Sequence, residues 1–235
     1  MKNILPIAVL LLMVSVCYAQ KAEISIQASS GLASYGGRSA TSRPIVLIND
    51  TAPYYNVSSP YSKKSSFSYG FAIQVQKVSA KNLISGFRLG FDHLSTISHF
   101  DSYTAMGGTV SIEEGTVKLQ NKLLQANPYL GYRLPVKNVH LDLTAGLNAG
   151  LILKSEYEVS HEGLFNLFDT KPEKNFVNTK IDLGPAVGLT ATCKRIGFNA
   201  SYYYGLINYT RNLDHFPNGQ VYARYLRLGI SYRIK

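Results

Sequence analysis

The last fifteen residues of the chain alternate between two kinds of side chain. Alternation with a period of two predicts a β-strand, because successive side chains of a strand point to opposite faces. A soluble sandwich would also alternate, but glycine and arginine would be an unusual choice for its solvated face. The pattern therefore indicates a strand with lipid on one side and a narrow polar space on the other. The apolar set is Leu226, Leu228, Ile230, Tyr232 and Ile234, and the other set is Arg227, Gly229, Ser231 and Arg233.

The same alternation predicts eight strands, at roughly 22–31, 66–78, 82–95, 117–134, 139–154, 177–192, 195–209 and 221–234. Short links lie at 79–81, 135–138 and 193–194, and long links at 32–65, 96–116, 155–176 and 210–220. Transmembrane barrels have short periplasmic turns and long external loops, so both chain ends are expected on the periplasmic side. The prediction is an all-β protein, an eight-stranded antiparallel up-and-down transmembrane β-barrel.

The apolar positions of these strands form one predicted surface. Its central part carries no charged residue, and a lysine or arginine facing lipid at mid-depth would cost roughly 2–4 kcal/mol. Tyrosines lie towards the strand ends, where amphipathic rings suit the headgroup boundary. These positions are therefore predicted to face lipid, and they include Ile26, Phe67, Phe71, Leu89, Leu130, Leu147, Val187, Phe198 and Leu228.

The opposite face of the strands carries the glycines and most of the strand charges. An eight-stranded barrel is only just wide enough for its own side chains, so large inward residues must be matched by small ones. A charge in such a narrow interior needs a partner, because an unpaired charge would destabilise the fold. We therefore predict a salt-bridged plug with no open channel, formed by Glu23, Arg88, Asp92, Arg133, Asp142, Asp182, Arg227 and Arg233.

The first residues have the composition of an export signal. Lys2 supplies a charge, an apolar run extends from Ile4 to Val16, and a small residue lies at Ala19. This pattern predicts a signal peptide over 1–19, cleaved before Gln20, and leaves 20–235 as the barrel domain. No later segment has the roughly 18 uninterrupted apolar residues that a spanning helix needs. The predicted location is the cell outer membrane.

The chain has two cysteines, Cys17 and Cys193. Lipidation of Cys17 is an alternative to simple cleavage, but Val16 precedes it where a lipoprotein signal has a small side chain. With the signal removed, Cys193 would remain alone, and no intramolecular disulfide could form.

The chain carries a formal net charge of +10 at pH 7. Its lysines and arginines are dispersed, and an exported protein rarely meets nucleic acid, so nucleic acid is not an expected partner. Outer-membrane lipid and the phosphates of lipopolysaccharide are the expected counter-charges. Protein partners in a secretion or surface complex are a further hypothesis.

Five stretches of the chain resemble a known family. They are 127–133 with 141–153, then 182–189, 201–208 and 228–233. They resemble the PorT-like outer-membrane β-barrel family of Bacteroidota, which has an eight-stranded domain of the OmpA/OmpX type. The resemblance is clearest over 120–235 and implies the fold, the location and an accessory role in secretion. One departure is Pro185, which predicts a bulge or a weakened ladder bond at a position that is usually regular strand.

His93 and Ser95 offer an alternative that involves chemistry. They share the outward parity near the predicted outer leaflet, and some eight-stranded barrels hydrolyse lipid A acyl chains with a histidine and a serine at this spacing. A hydroxyl nucleophile needs a base within hydrogen-bond reach and usually a third group that orients the base. No acid follows at an obvious position, since Glu113 and Glu114 are predicted in a loop. We therefore predict no enzyme activity, with a lipid A hydrolase as the alternative.

No cofactor or metal site is predicted. His140 and Asp142 share the inward face, where they fit the salt-bridge cluster better than a metal site. The sequence has no cysteine–histidine or carboxylate spacing that suggests a metal.

The first long loop keeps a binding function open. It holds Tyr54, Tyr55, Tyr61, Lys63 and Lys64 among serines and prolines, a composition able to contact a glycan, a peptide or a protein. A mobile, soluble loop has the same composition. We predict a small outer-membrane barrel that acts through membrane anchoring and its external loops, without catalysis. A surface adhesin or ligand-binding module acting through this loop is the alternative.

Overall fold

The computed structural model describes residues 22–48, 55–105, 108–161, 173–174, 179–210 and 218–235. The predicted signal peptide, 1–19, lies outside these residues. No helix among the described residues is long and apolar enough to cross a membrane. The strands are β1 (Ala22–Gly36), β2 (Val46–Ile48), β3 (Tyr55–Val57), β4 (Ser66–Val78), β5 (Leu83–Ala105), β6 (Gly108–Val136), β7 (Val139–His161), β8 (Glu173–Lys174), β9 (Ile181–Cys193), β10 (Ile196–Tyr204) and β11 (Tyr222–Arg233).

Eight of these strands close into a barrel. The ring runs β1, β4, β5, β6, β7, β9, β10 and β11, and β1 pairs antiparallel with both β4 and β11. Closure is completed at the chain ends, where the Ile24 N–H donates to the Lys235 carbonyl at 2.9 Å. A closed barrel satisfies every strand edge, as a β-structure in lipid requires. The predicted eight-stranded up-and-down fold is confirmed.

The short turns lie at one end of this barrel. Val136 pairs with Val139 and Cys193 pairs with Ile196, so each of these hairpins has a two-residue loop. Lys137 and Lys194 have φ of 52° and 54°, in the left-handed region that such tight hairpin loops use. These are two of the short links that the sequence predicts.

Four strands are longer than the sequence predicts, and the first of them, β1, continues to Gly36 instead of ending at 31. β5 and β6 continue through most of 96–116, which was predicted as a loop, and β7 continues to His161. Glu113 and Glu114 therefore lie in β6, not in a loop. The prediction was wrong because it ended each strand where the outward face turned polar, although an antiparallel sheet outside the membrane needs no apolar outer face. Two strands are shorter than predicted, because β9 begins at Ile181 instead of 177 and β10 ends at Tyr204 instead of 209.

A bulge in β7 changes which of its residues face inward. Lys122 pairs with Lys154 and Leu123 pairs with Ile152, so Leu153 is the extra residue. An extra residue reverses the alternation of side chains beyond it. As a result Tyr157, at an odd position like the lipid-facing Leu151, is buried.

Two prolines flank Leu147. Pro185 pairs with Leu147 in an unbroken register with β7, so the predicted bulge is absent there, while the pairing of β9 with β10 ends at Ala186 and Tyr203. On the other side, the β6–β7 ladder skips Pro128. The Asn127 side chain donates to the Leu147 carbonyl at 2.7 Å and supplies the hydrogen bond that the proline nitrogen cannot make.

The outer wall of the barrel is apolar. Its exposed side chains include Phe67, Leu130 and Phe198, which are 63%, 69% and 64% exposed. So large an exposed apolar surface would be unstable in water and is expected of a wall that faces lipid. The protein is an outer-membrane β-barrel.

Candidate functional site

The periplasmic end of the barrel interior is closed by charges. The Arg133 Nε donates to Asp142 Oδ1 at 2.7 Å, and its Nη1 and Nη2 each lie 2.8 Å from an oxygen of Glu23. Arg233 Nη1 lies 3.2 Å from Glu23 Oε1, and Gln76 donates to Glu23 and Asp142 at 2.8 and 3.1 Å. Bidentate arginine–carboxylate pairs are strong and hold both partners in one geometry.

A second ionic group lies higher in the interior. Arg227 pairs with Asp92 and donates to Gln125 Oε1 at 2.6 Å. Its guanidinium lies over the Tyr225 ring, 4.3 Å from the centroid. These contacts hold Arg227 on three sides, and they bury its charge with a compensating carboxylate.

The predicted set is therefore brought together only in part. Among the described residues, Arg88 and Asp182 are in no ion pair. Arg88 donates to the Asn127 amide oxygen at 3.2 Å, and Asp182 lies beside the hydroxyls of Tyr203 and Tyr209. Two of the eight predicted residues thus lie outside the ion pairs, and Arg227, whose charge acts on Asp182, is engaged by Asp92.

Neutral amides connect these ionic groups, and the charge-based prediction missed them. Gln74 donates to Gln76 at 2.8 Å, Gln27 donates to Gln74, and Asn148 donates to the Tyr225 hydroxyl at 2.7 Å. Their inward parity was the available signal, since amide side chains on a narrow inward face need partners as charges do.

Small side chains make room for this packing. A Cβ on Gly86 would lie 2.3 Å from the Tyr129 ring carbon Cζ, so only glycine fits opposite that tyrosine. Cavities of about 20 and 30 Å³ lie in the described interior, and Gln27, Arg88 and Asn127 line both. Each has space for a water molecule or two. These cavities are small beside the side chains that occupy the described part of the interior.

An aromatic cluster closes the external end. Tyr35 makes edge contacts with Tyr61 and Tyr209, with ring centroids 5.0 and 5.5 Å apart. Tyr61, in the first loop, is 0% exposed, and burial raises the pKa of its hydroxyl. The apolar core continues above this cluster through Val46, Val57, Val117, Leu119 and Val159.

The first loop and the long strands form a folded unit that we call the external head, residues 37–48, 55–65, 96–105, 108–121 and 155–161. In it, β2 pairs parallel with β5, through Val46 and Tyr103, and antiparallel with β3. Ser62 donates to the Ile97 carbonyl at 2.8 Å and ties the loop to β5. The head is thus packed onto the barrel and shares its core.

The residues proposed for ligand contact in the first loop differ in their exposure to solvent. Tyr61 is buried, Lys63 and Lys64 are exposed, and Tyr54 lies outside the described residues. Tyr55 is the first residue of β3. A ligand could reach the lysines but not Tyr61, whose ring is part of the core.

His93 and Ser95 are not arranged as a catalytic pair. The His93 ring stacks on Tyr69, with centroids 5.0 Å apart and the planes 11° apart. Ser95 is buried and its backbone N–H donates to Ser68 Oγ at 3.0 Å. No hydrogen bond joins His93 to Ser95 within the described chain, and Glu114 lies 2.6 Å from Nδ1 of another histidine, His99. Two residues at this spacing are about 6.6 Å apart along a strand.

The described residues contain no group of three or more histidine, cysteine, aspartate or glutamate side chains that could hold a metal ion. His140 pairs with Pro135 and Thr192 near the periplasmic end, while Asp142 is engaged by Arg133.

No family model matches the chain, and no curated protein matches it. The PorT-like resemblance and its assignment to Bacteroidota therefore remain predictions. Similar solved structures exist at low identity. Ail of Yersinia pestis in complex with sucrose octasulfate is 14% identical, with TM-score 0.39, over 91% of this chain and 97% of that chain. Neisserial surface protein A is 13% identical, with TM-score 0.40, over 92% and 100% of the two chains. A major outer membrane protein of Thermus thermophilus is 15% identical, with TM-score 0.48, over 91% and 100%.

Proposed function

We propose that this protein is a surface component of the outer membrane, in which a sealed barrel anchors the external head and the head contacts a protein partner. The observation that carries the proposal is the packing of the first loop around Tyr61, which is fully buried between the loop and the barrel. Such a core gives the head one shape, and a preformed surface lowers the entropy cost of binding.

The outer face of the head has the composition of a protein contact. Ile45 and Leu47 are 62% and 42% exposed, and Arg43 and Asp101 form an exposed ion pair at 3.8 Å. Apolar side chains with charges around them are typical of protein interfaces. An accessory role in a secretion or surface complex fits this reading, and the PorT-like resemblance supports it.

We propose no catalytic role. The stacked His93 and the buried Ser95 lack the contact that a base and its nucleophile need. A lipid A hydrolase is accordingly the weaker candidate.

The test is amine-reactive crosslinking in native membranes, followed by mass spectrometry of the crosslinked peptides. We expect Lys63 or Lys64 to crosslink to one partner protein, and Leu47→Asp to abolish those crosslinks. Val110→Asp, another exposed apolar position of the head, is the matched control and is expected to retain them. Unchanged crosslinks in Leu47→Asp, or crosslinks confined to Lys81 and Lys137 at the periplasmic turns, would contradict the proposal.

A further inference from the structure

Basic residues follow the upper edge of the lipid-facing wall. Four barrel strands carry a basic residue beyond the last outward apolar side chain of the wall, and a fifth basic residue lies directly before β9. We call this set the basic collar, and it comprises His93, Lys122, Lys154, Lys180 and Arg224.

The strand register places three residues of the basic collar side by side. His93 pairs with Lys122 across β5 and β6, and Lys122 pairs with Lys154 across β6 and β7. Directly opposite side chains have Cβ atoms about 4.5–5.5 Å apart, and like charges at that distance destabilise a sheet. The bulge at Leu153 creates the lysine pair, because without the extra residue Leu153 would lie opposite Lys122.

The neighbouring charges leave Lys122 without an anion. Lys154 Nζ lies 2.6 Å from Glu156 Oε1, and Lys118 faces Glu158 across the ladder. Lys122 is in none of the ion pairs found among the described residues. Its flanking partners are therefore a histidine on one side and a lysine on the other.

The position of Lys122 and Lys154 at the upper edge of the apolar wall indicates which anion could pair with Lys122. Directly below Lys122 the wall exposes Leu124, and below Lys154 it exposes Leu151 and Leu153. An amphiphile whose acyl chains lie on these leucines would hold its headgroup at the level of the lysines. Phosphate oxygens accept charge-assisted hydrogen bonds from ammonium groups, and such bonds are stronger than neutral ones.

We propose that Lys122, with His93 and Lys154, binds the phosphate of a lipid headgroup in the outer leaflet. The bound phosphate supplies Lys122 with a counter-charge, as Glu156 does for Lys154. A phosphorylated glycolipid of the lipid A type fits, because its phosphates and acyl chains are joined in one molecule. This site is on the barrel wall and does not depend on what the external head binds.

The test compares wild type, Lys122→Gln and Lys81→Gln, all folded in the same zwitterionic micelles. Lys81→Gln is the control, since this exposed lysine lies at the β4–β5 turn on the opposite side of the membrane. Bisphosphorylated lipid A is titrated in, and the bound lipid is counted by native mass spectrometry alongside the midpoint of thermal unfolding. Lipid A without phosphates and inorganic phosphate form two further arms.

We expect wild type and Lys81→Gln to bind the bisphosphorylated lipid and to unfold at a higher temperature in its presence. Lys122→Gln should bind it roughly tenfold more weakly, which is the loss of one charge-assisted contact. In micelles without lipid A, Lys122→Gln should be at least as stable as wild type, which separates lost binding from damaged folding.

Three outcomes would overturn the proposal. Equal binding of bisphosphorylated lipid A by wild type and Lys122→Gln would show that Lys122 is not part of a binding site. Equal binding of lipid A with and without phosphates would show that the phosphate is not the recognised group. Displacement of the lipid by inorganic phosphate at equal concentration would overturn the lipid as the source of that phosphate.

Discussion

Arg224 and Arg227 lie three positions apart on β11 and therefore face opposite sides of the wall. Arg227 pairs with Asp92 inside the barrel. Arg224 lies over the Tyr204 ring, 5.0 Å from its centroid, at the outer edge of the wall. Substituting each arginine therefore compares the contribution of a buried ion pair to the stability of the barrel with that of a contact at the membrane boundary.

Arg227→Ala should lower the free energy of unfolding by about 3–5 kcal/mol, because it leaves the Asp92 carboxylate buried without its partner. Arg224→Ala should cost about 1 kcal/mol or less, as expected for an exposed cation–π contact. Urea titration of the folded barrel in lipid vesicles measures both. Equal losses would mean that the inward and outward faces of β11 are assigned incorrectly.

Asn127 replaces a backbone donor, and its substitution tests that role. Asn127→Ala should cost about 1–3 kcal/mol, because it leaves the Leu147 carbonyl unpaired beside Pro128. In a Pro128→Ala background the same substitution should cost less, since alanine restores the backbone N–H. The same urea titration measures this cycle, and Asn199→Ala is the control, because the Asn199 amide nitrogen has no partner in the described structure. A cost for Asn127→Ala that is the same in both backgrounds would contradict the replacement.

Which interior residues meet could be predicted from parity only in part. Arg133, Glu23 and Asp142 lie near the periplasmic strand ends, and the shortness of the turns fixes their level. For Asp182 and Arg88, parity gives the face but not the height, because the stagger between non-neighbouring strands depends on the whole register of the barrel. The aromatic and amide neighbours of these two residues therefore could not be read from charges alone.

At the scale of elements, the bulge at Leu153 sets the structure of the external head. Deleting Leu153 should make the β6–β7 register continuous and turn Tyr157 and Val159 from the core to the outer face. The head should then lose its packing while the barrel, whose lower register is unchanged, stays closed. Limited trypsin digestion measures the loss of packing, because Lys63 and Lys64 lie in the head. Leu153→Ala, which keeps the extra residue, is the control. Equal protection of the head in both variants would contradict the role of the bulge.

The existence of all eight barrel strands could be predicted from alternation, because a lipid face and a cramped polar face impose it along the whole spanning segment. The upper parts of β5, β6 and β7 could not be predicted, since outside the lipid the apolar side chains turn inward and the polar ones outward. Within the membrane the apolar side chains of a strand face outward, whereas above it they face inward. In β6, for example, Val117 is buried and Lys118 is partly exposed.

At the scale of the whole molecule, the closed interior makes two measurements informative. The purified protein should migrate differently on a gel before and after boiling, since a closed barrel loses its strands together. In a planar bilayer it should give no stable conductance, because side chains and their ion pairs fill the interior. Identical migration would contradict the barrel, and steady single-channel currents from heat-modifiable protein would contradict the plug.

The short β9–β10 hairpin places an exposed thiol, Cys193, on the same side of the barrel as the chain ends. Cys193 is the free cysteine of the described residues, so the fold carries its own chemical marker of orientation. A maleimide that cannot cross membranes should leave Cys193 unmodified in intact cells and modify it once the outer membrane is permeabilised. Labelling in intact cells would mean that the two ends of the barrel are assigned to the wrong sides of the membrane. The long strands and the external head would then lie on the periplasmic side.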